Sequence, residues 1–301
     1  MKIKIKQGLK LMQQFNKALV TGLLCLTTML MLALPTYASS KTQVDVNKTE
    51  KPRWEAGALL ATFHSPLYPA ASETQEKILP VPFLIYRGER LRVGENGVIK
   101  AVAIEKPRFK VDLSLGAAFN ANSDDSRARK GMPDLDFIFE VGPEVSFMLT
   151  DSDDSETWLN LQFRKVFSTD FSSIDERGYI FQPELAYQGK GLFSKNSRFK
   201  FTFSPLFATE KTHQYFYQVD EQFSTNERPT YQAGGGYLGT EMSLVNRFKI
   251  RDDLLIFVST KLGYYKGASN EDSPLYKKDI NYALGLGIKW TLFAGNELKL
   301  F

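Results

Sequence analysis

The chain has 301 residues, 43% of them hydrophobic and 13% aromatic, with a formal net charge of +4 at pH 7. Lys2, Lys4, Lys6, Lys10 and Lys17 precede any acidic residue, so removing residues 1–38 takes five positive charges and leaves −1; the basic balance is then no sign of nucleic-acid binding. The only cysteine, Cys25, lies in the same segment, so the remainder has no means of forming a disulfide.

In chain order, the basic start is followed by the uncharged apolar stretch "ALVTGLLCLTTMLMLALP", then Thr36, Tyr37 and Ala38. This pattern predicts a secretory signal peptide over 1–38, cleaved after Ala38. Cys25 sits inside the apolar stretch rather than closing it, so a lipid-modified cysteine is not expected. Residues 39–53 are polar and read as a flexible leader. From 54 to the terminal Phe301 a single domain is expected.

That domain is a series of period-two runs, the mark of β-strands whose side chains point alternately to two faces. Weaker runs cover Trp54–Phe63, Val81–Tyr86 and Val98–Ile104. In 108–119, Phe109, Val111, Leu113, Leu115, Ala117 and Phe119 alternate with Lys110, Asp112, Ser114, Gly116 and Ala118. Strong runs follow at 137–149, 179–187, 198–207 and 282–292, with weaker ones at Leu159–Phe163, Met242–Phe248 and Leu254–Tyr264. Segments 120–134, 151–157, 168–178 and 266–279 read as long polar connections, and 189–197 and 250–253 as short ones.

One face of the runs is crowded with Phe, Tyr, Leu and Ile; the other mixes Lys, Glu and Arg with Gly, Ala and Ser. A secreted β-sandwich would turn the apolar face inward and keep the polar face wet. Runs of roughly 9–13 residues are long enough to cross hydrocarbon at a tilt, and a wet lumen accepts charges that a dry core does not. The expected fold is therefore all-β: a closed up-and-down antiparallel transmembrane β-barrel of about 10–12 strands. Tyr179, Tyr187, Tyr264, Tyr282 and Trp290 would form the interfacial aromatic girdles. Pro143, Pro183 and Pro205 fall inside runs, where bulges are expected.

Three segments carry more than alternation. Pro82, Phe83, Tyr86, Arg87 and Gly88 form a Pro-aromatic strand ending in Tyr-Arg-Gly; Arg228, Pro229, Tyr231, Ala233, Gly235, Gly236 and Tyr237 form a second signature; Ser273, Pro274 and Leu275 form a third. In this order the chain resembles the MltA-interacting protein (MipA/OmpV) family over about 54–301. The resemblance implies a Gram-negative outer-membrane barrel, a non-enzymatic scaffold joining a lytic murein transglycosylase to a peptidoglycan synthase in cell-wall biogenesis. It also implies outer-membrane lipid as a partner and no nucleic acid. The motif residues would serve structure or partner binding.

No catalytic, cofactor or metal constellation competes. Gly234–Gly236 lacks the Lys-Ser/Thr of a phosphate-binding loop and reads as a tight bend under aromatic rings. Glu184 and Glu241 are the candidate lumen partners of Arg228. "DSDDSE" lacks the glycine and terminal glutamate of a calcium loop. His64 and His213, the only histidines, read as loop or rim residues; with Ser65 or Asp220 they would serve a lipid hydrolase. Charged lumen positions such as Lys110, Asp112, Lys200 and Lys289 keep a small, porin-like solute channel open as the alternative function, beside a purely structural outer-membrane protein.

Overall fold

A computed structural model describes residues 52–87, 91–93, 100–101 and 104–295. The expected signal peptide, most of the leader, Gly88 and Phe301 lie outside the described residues, as does the Arg87 side chain. The strands are β1 (Trp54–Pro66), β2 (Thr74–Arg87), β3 (Leu91–Val93), β4 (Lys100–Ala101), β5 (Ile104–Lys106), β6 (Phe109–Ala118), β7 (Phe137–Asp151), β8 (Ser155–Thr169), β9 (Ile174–Lys190), β10 (Ser197–Ala208), β11 (Gly236–Lys249), β12 (Leu254–Tyr264) and β13 (Ile280–Gly295). One α-helix, α1 (Glu210–Tyr217), follows β10.

Every pairing is antiparallel, and strands from β6 to β13 pair in sequence order. β1 then joins β13 on one side and β2 on the other, which curls the sheet by bringing the first strand against the last. The two ends of the sheet are β4 and β5, which are separated in the chain only by residues 102–103. The sheet is thus all-β and curled, while hydrogen-bonded closure is not seen among the described residues.

The alternation read from the sequence sets the two faces. On β13, Ile280, Tyr282, Leu284, Leu286, Ile288, Trp290 and Leu292 are exposed on the outer surface, between 41% and 63%. Asn281, Gly285 and Gly287 turn inward and are buried. Twelve strand steps from Ile280 to Leu292 rise about 40 Å, or about 30 Å along the normal at a 40° tilt, the thickness of a hydrocarbon layer. Phe181, Leu185, Phe201, Phe203, Phe207, Val258 and Leu262 extend the band around the wall.

The prolines do not produce the expected bulges at their own positions. Between β9 and β10 the ladder skips from Phe203↔Leu185 to Phe207↔Phe181, which leaves Pro183 and Pro205 opposite each other where neither could donate. Pro143 keeps its place against Leu113 of β6, while the ladder to β8 is interrupted beside it. The register does shift next to Pro205, at Leu206/Phe207 against β11.

The connections sort to two ends. Residues 152–154, 191–196 and 250–253 are short turns at one end, with Trp54 and Gly295 beside them. Residues 67–73, 119–136, 170–173, 209–235 and 265–279 lie at the other. Segments 151–157 and 168–178, expected as long loops, are largely strand: β7 runs to Asp151, β8 from Ser155 to Thr169 and β9 from Ile174. Polar strand ends reach past the apolar band there and mimic loop composition.

Candidate functional site: a charged lumen beneath a folded cap

The inward faces of β6 to β12 build a polar wall. Arg164 of β8 is 5% exposed. Its Nε donates to Glu140 of β7 at 2.7 Å, and its other nitrogens reach Ser114, Gln162 and Gln182. Lys200 of β10 donates to Glu184 of β9 at 3.0 Å, and Asn160 donates to the same carboxylate at 2.9 Å. Lys261 of β12 donates to Glu241 of β11 at 3.0 Å. Glu144 accepts only from the Ser146 hydroxyl at 3.2 Å, and its carboxylate has no ion-pair partner among the described residues. It stands directly across the ladder from Asp112.

The opposite wall differs. Leu59, Ala61, Val81, Phe83, Ile85 and Phe257 form one apolar cluster, with Phe63, Leu79, Phe119 and Leu255 against it. Gly287 makes room for it: a Cβ there would lie 2.0 Å from the Phe257 ring. Lys289 crosses to this side, donating to Glu55 at 3.1 Å and lying 4.5 Å from the Phe83 ring centre. Nearer the turn end, Lys110 sits 4.1 Å over the Trp158 ring. Lys110, Asp112, Lys200 and Lys289 thus take the inward positions their alternation required.

The long loops fold together into a cap with its own core. Leu67, Tyr68, Met132, Leu135, Phe216, Tyr217, Val219, Ala233 and Leu275 share one buried cluster with the loop ends of β8 and β9. Two of the three sequence signatures meet here. The Arg228 Nη1 donates to the carbonyls of Ala128 and Lys130, and its Nε and Nη2 to that of Phe223. Arg228 therefore joins two loops and pairs with neither Glu184 nor Glu241, whose partners are Lys200 and Lys261. Ser273 donates to the Tyr217 carbonyl at 2.8 Å, and Tyr68 donates to that of Leu275 at 2.8 Å. Tyr217 donates to the Pro69 carbonyl at 3.0 Å.

Gly235 and Gly236 are needed for close approach. A Cβ on Gly235 would lie 2.8 Å from the Glu210 amide nitrogen at the start of α1, and Gly236 has φ +141°. Tyr237 packs on Phe207, Tyr231 donates to Asn270, and Pro229 is exposed on the outside. Pro274 is half-buried beside Leu275. The first signature lies apart. Pro82 faces outward on β2, and the Tyr86 ring lies tilted against Trp54 with centroids 4.3 Å apart, while its hydroxyl accepts from Arg53 at 3.0 Å.

His213 is a correction. It is fully buried on α1 rather than at a loop or rim surface. Its Nε2 contacts the Gly236 carbonyl at 3.1 Å, and its Nδ1 lies 2.7 Å from Asn270 Nδ2. The ring is therefore neutral with the proton on Nε2. Burial holds its pKa below the ordinary imidazole value, against the smaller opposing pull of the Gly236 carbonyl. Burial likewise pushes the Tyr68 phenol up to about 12, with Arg129 opposing. His64 is half-buried, 3.7 Å from Glu76. Neither ring is hydrogen-bonded to a serine hydroxyl among the described residues. No group of three or more metal-ligating side chains converges among the described residues; Asp154 of the acidic turn lies 3.5 Å from Lys190.

A cavity of about 520 Å³ lies between the polar wall and the cap. Leu67, Tyr68 and Phe216 roof it; β6 borders it with every residue from Asp112 to Ala118, and Phe119 follows. Arg164, Glu140 and Gln182 were not singled out from the sequence as a group. Their inward parity was the available signal, but which inward residues meet across three strands depends on register. Asn270 lies three residues before the Ser273–Leu275 signature, and nothing in its sequence context shows that it clasps His213.

The architecture defines a class: an antiparallel β-protein with its apolar face outside and its charged face on the inside of the curled sheet. Residues 57–292 match the model of one family, described as MltA-interacting protein MipA, and the chain belongs to that family. No curated protein matches the chain. Among solved structures it is similar to the COG4313 outer membrane channel from Pseudomonas putida F1, at 9% identity and TM-score 0.45, covering 84% of this chain and 100% of that one. It is also similar to a NanC porin, at 8% identity and TM-score 0.35, covering 77% of this chain and 100% of that one. OmpT, an outer membrane protein of Vibrio cholerae, matches at 8% identity and TM-score 0.34, covering 81% of this chain and 99% of that one.

Proposed function

We propose that the protein is a closed outer-membrane β-barrel, exported by its N-terminal signal, that acts without catalysis as a scaffold for cell-wall enzymes. Its partners would be a lytic murein transglycosylase and a peptidoglycan synthase. Membership of the MltA-interacting family over residues 57–292 is the observation that carries this reading. The outward apolar band supports the membrane location. By the usual barrel orientation the long loops face outside and the short turns face the periplasm. The turn 191–196 there exposes Leu192 at 47% and Phe193 at 66%, and Ile250 is exposed on the neighbouring turn. Apolar side chains exposed on such turns suit docking to a protein.

A photo-crosslinker at Phe193 tests this directly. The expected product joins the barrel to a murein transglycosylase, and Phe193→Asp reduces co-purification at least fivefold. Crosslinks to lipid alone, with unchanged co-purification, would refute the scaffold role.

The charged wall favours one alternative, a small solute channel. Against it, the cap roofs the lumen and the Phe83–Phe257 cluster fills the wall below. Planar-bilayer recordings are therefore expected to be silent, and stepwise conductance would favour the channel.

A further inference from the structure

The cap is held over the cavity by a clasp whose fit depends on one proton. His213 of α1 is 0% exposed, and both ring nitrogens are engaged: Nε2 with the Gly236 carbonyl at 3.1 Å and Nδ1 with the Asn270 amide nitrogen at 2.7 Å. The backbone of Gly234 fixes the orientation of that amide. Asn270 Nδ2 donates to the Gly234 carbonyl at 2.8 Å, and its Oδ1 accepts from the Gly234 amide at 3.0 Å and from the Tyr231 hydroxyl at 3.2 Å. Turning the amide over would set donor against donor and acceptor against acceptor at Gly234. Asn270 therefore presents only a donor to His213, and the ring has to accept at Nδ1.

A proton on Nδ1 would press two N–H groups together on a buried charged ring. His213 makes no ion pair among the described residues. The charged groups on the segments around it are engaged elsewhere or turned to solvent. On α1, Glu210 accepts from Gln214 and Lys211 is exposed. Arg177 of β9 pairs with Asp175, and Glu73 of the 67–73 loop with Arg127. In 119–136, Arg129 donates to the Phe216 carbonyl, and the Asp136 amide donates to Tyr215. In 265–279, Glu271 accepts from the Gly267 amide, Asp279 accepts from Tyr276, and Asp272 is exposed. The Tyr217 phenol donates to Pro69.

The clasp also holds the roof. It joins the 209–235 segment to the 265–279 loop, two pieces of the cap far apart in the chain. Thr212 and Phe216, on the same helix as His213, line the cavity. We propose that the cap is an acid-released lid: a proton on His213 Nδ1 breaks the clasp to Asn270, loosens α1 and opens the cavity to solvent. This goes beyond the scaffold reading and does not depend on it. Because burial favours the neutral ring, release sets in below the ordinary imidazole value of about 6.5.

The test places a single cysteine at Ser204, 2% exposed on the cavity wall, with Cys25 replaced by serine. Its rate of reaction with a water-soluble trimethylammonium methanethiosulfonate is divided by that of a cysteine at Asn196, exposed at the turn end, which removes the reagent's own pH dependence. In the full barrel in non-ionic detergent the ratio is expected to rise at least threefold between pH 7.5 and 5.5; one proton permits at most about tenfold per pH unit. His213→Gln and His213→Phe, checked as folded by gel mobility before boiling, are expected to abolish the rise. Nitrogen-15 spectra of labelled histidine, assigned with His64→Gln, should show His213 neutral with its proton on Nε2 at pH 7.5. A flat ratio, an unchanged rise in either folded variant, or a ring protonated on Nδ1 at pH 7.5 would overturn the lid. If neither variant folds, the unaltered clasp decides: a rising ratio together with the neutral Nε2–H ring supports the lid, and the lack of either refutes it.

Discussion

Arg164 shows how single residues hold this molecule together. Its side chain is 7% exposed and that of Glu140 is 14% exposed, so the pair is shielded from solvent. Arg164→Met would strand the carboxylate and leave Ser114, Gln162 and Gln182 without their common donor. A loss of about 3–5 kcal/mol is expected, because removing one partner leaves an uncompensated charge. The double variant Arg164→Met/Glu140→Leu should recover most of it, since both charges then go. Thermal loss of the fast-migrating folded gel band measures both. At this scale, the sequence showed which side chains of a strand point inward, because parity is local. It did not show who pairs with whom. Arg228 sits in a loop, where parity does not apply; besides the nearby Phe223 carbonyl, its partners are the Ala128 and Lys130 carbonyls about a hundred residues away.

The cap is the element with the most to test. α1 has eight residues and its N-cap Thr209 makes no capping side-chain bond, so its stability comes from packing. Thr212 donates to the Arg177 carbonyl at 2.6 Å and His213 is clasped by Asn270 and Gly236. The folded cap holds His213 neutral, with its pKa lowered by burial, so the loosened state binds the proton more readily. Cap stability is therefore full above the ordinary imidazole pKa of about 6.5 and declines as pH falls below it. Hydrogen exchange at 210–217, corrected for intrinsic rate, should show protection falling between pH 7.5 and 5.5; a flat profile would contradict this. Gly235→Val should open the same segment at all pH values, because its side chain meets the Glu210 backbone. The cap was the least legible part of the sequence. Its pieces at 67–73, 119–136, 209–235 and 265–279 are far apart in the chain, and their shared core has no periodicity. The glycine signature alone marked a tight bend, expected under aromatic rings; instead Gly235 lies against the Thr209 and Glu210 backbone and Gly236 against the Ser269 side chain.

For the whole molecule, the decisive fact is that the wall has its apolar side out. That was legible from the runs, since β6, β12 and β13 lie almost where the alternation placed them. Curling was less so: the β1–β13 pairing joins residues over two hundred apart and depends on the total twist of the sheet. The most direct measurement is a nitroxide scan of Ile256 to Leu262 on β12 in lipid vesicles, with Cys25 replaced by serine and one new cysteine at a time. Labels at Ile256, Val258, Thr260 and Leu262 should be relaxed by oxygen dissolved in the lipid, while those at Phe257, Ser259 and Lys261 should be shielded from it. Uniform access to a water-soluble relaxant along the strand, or the opposite phase, would contradict the account.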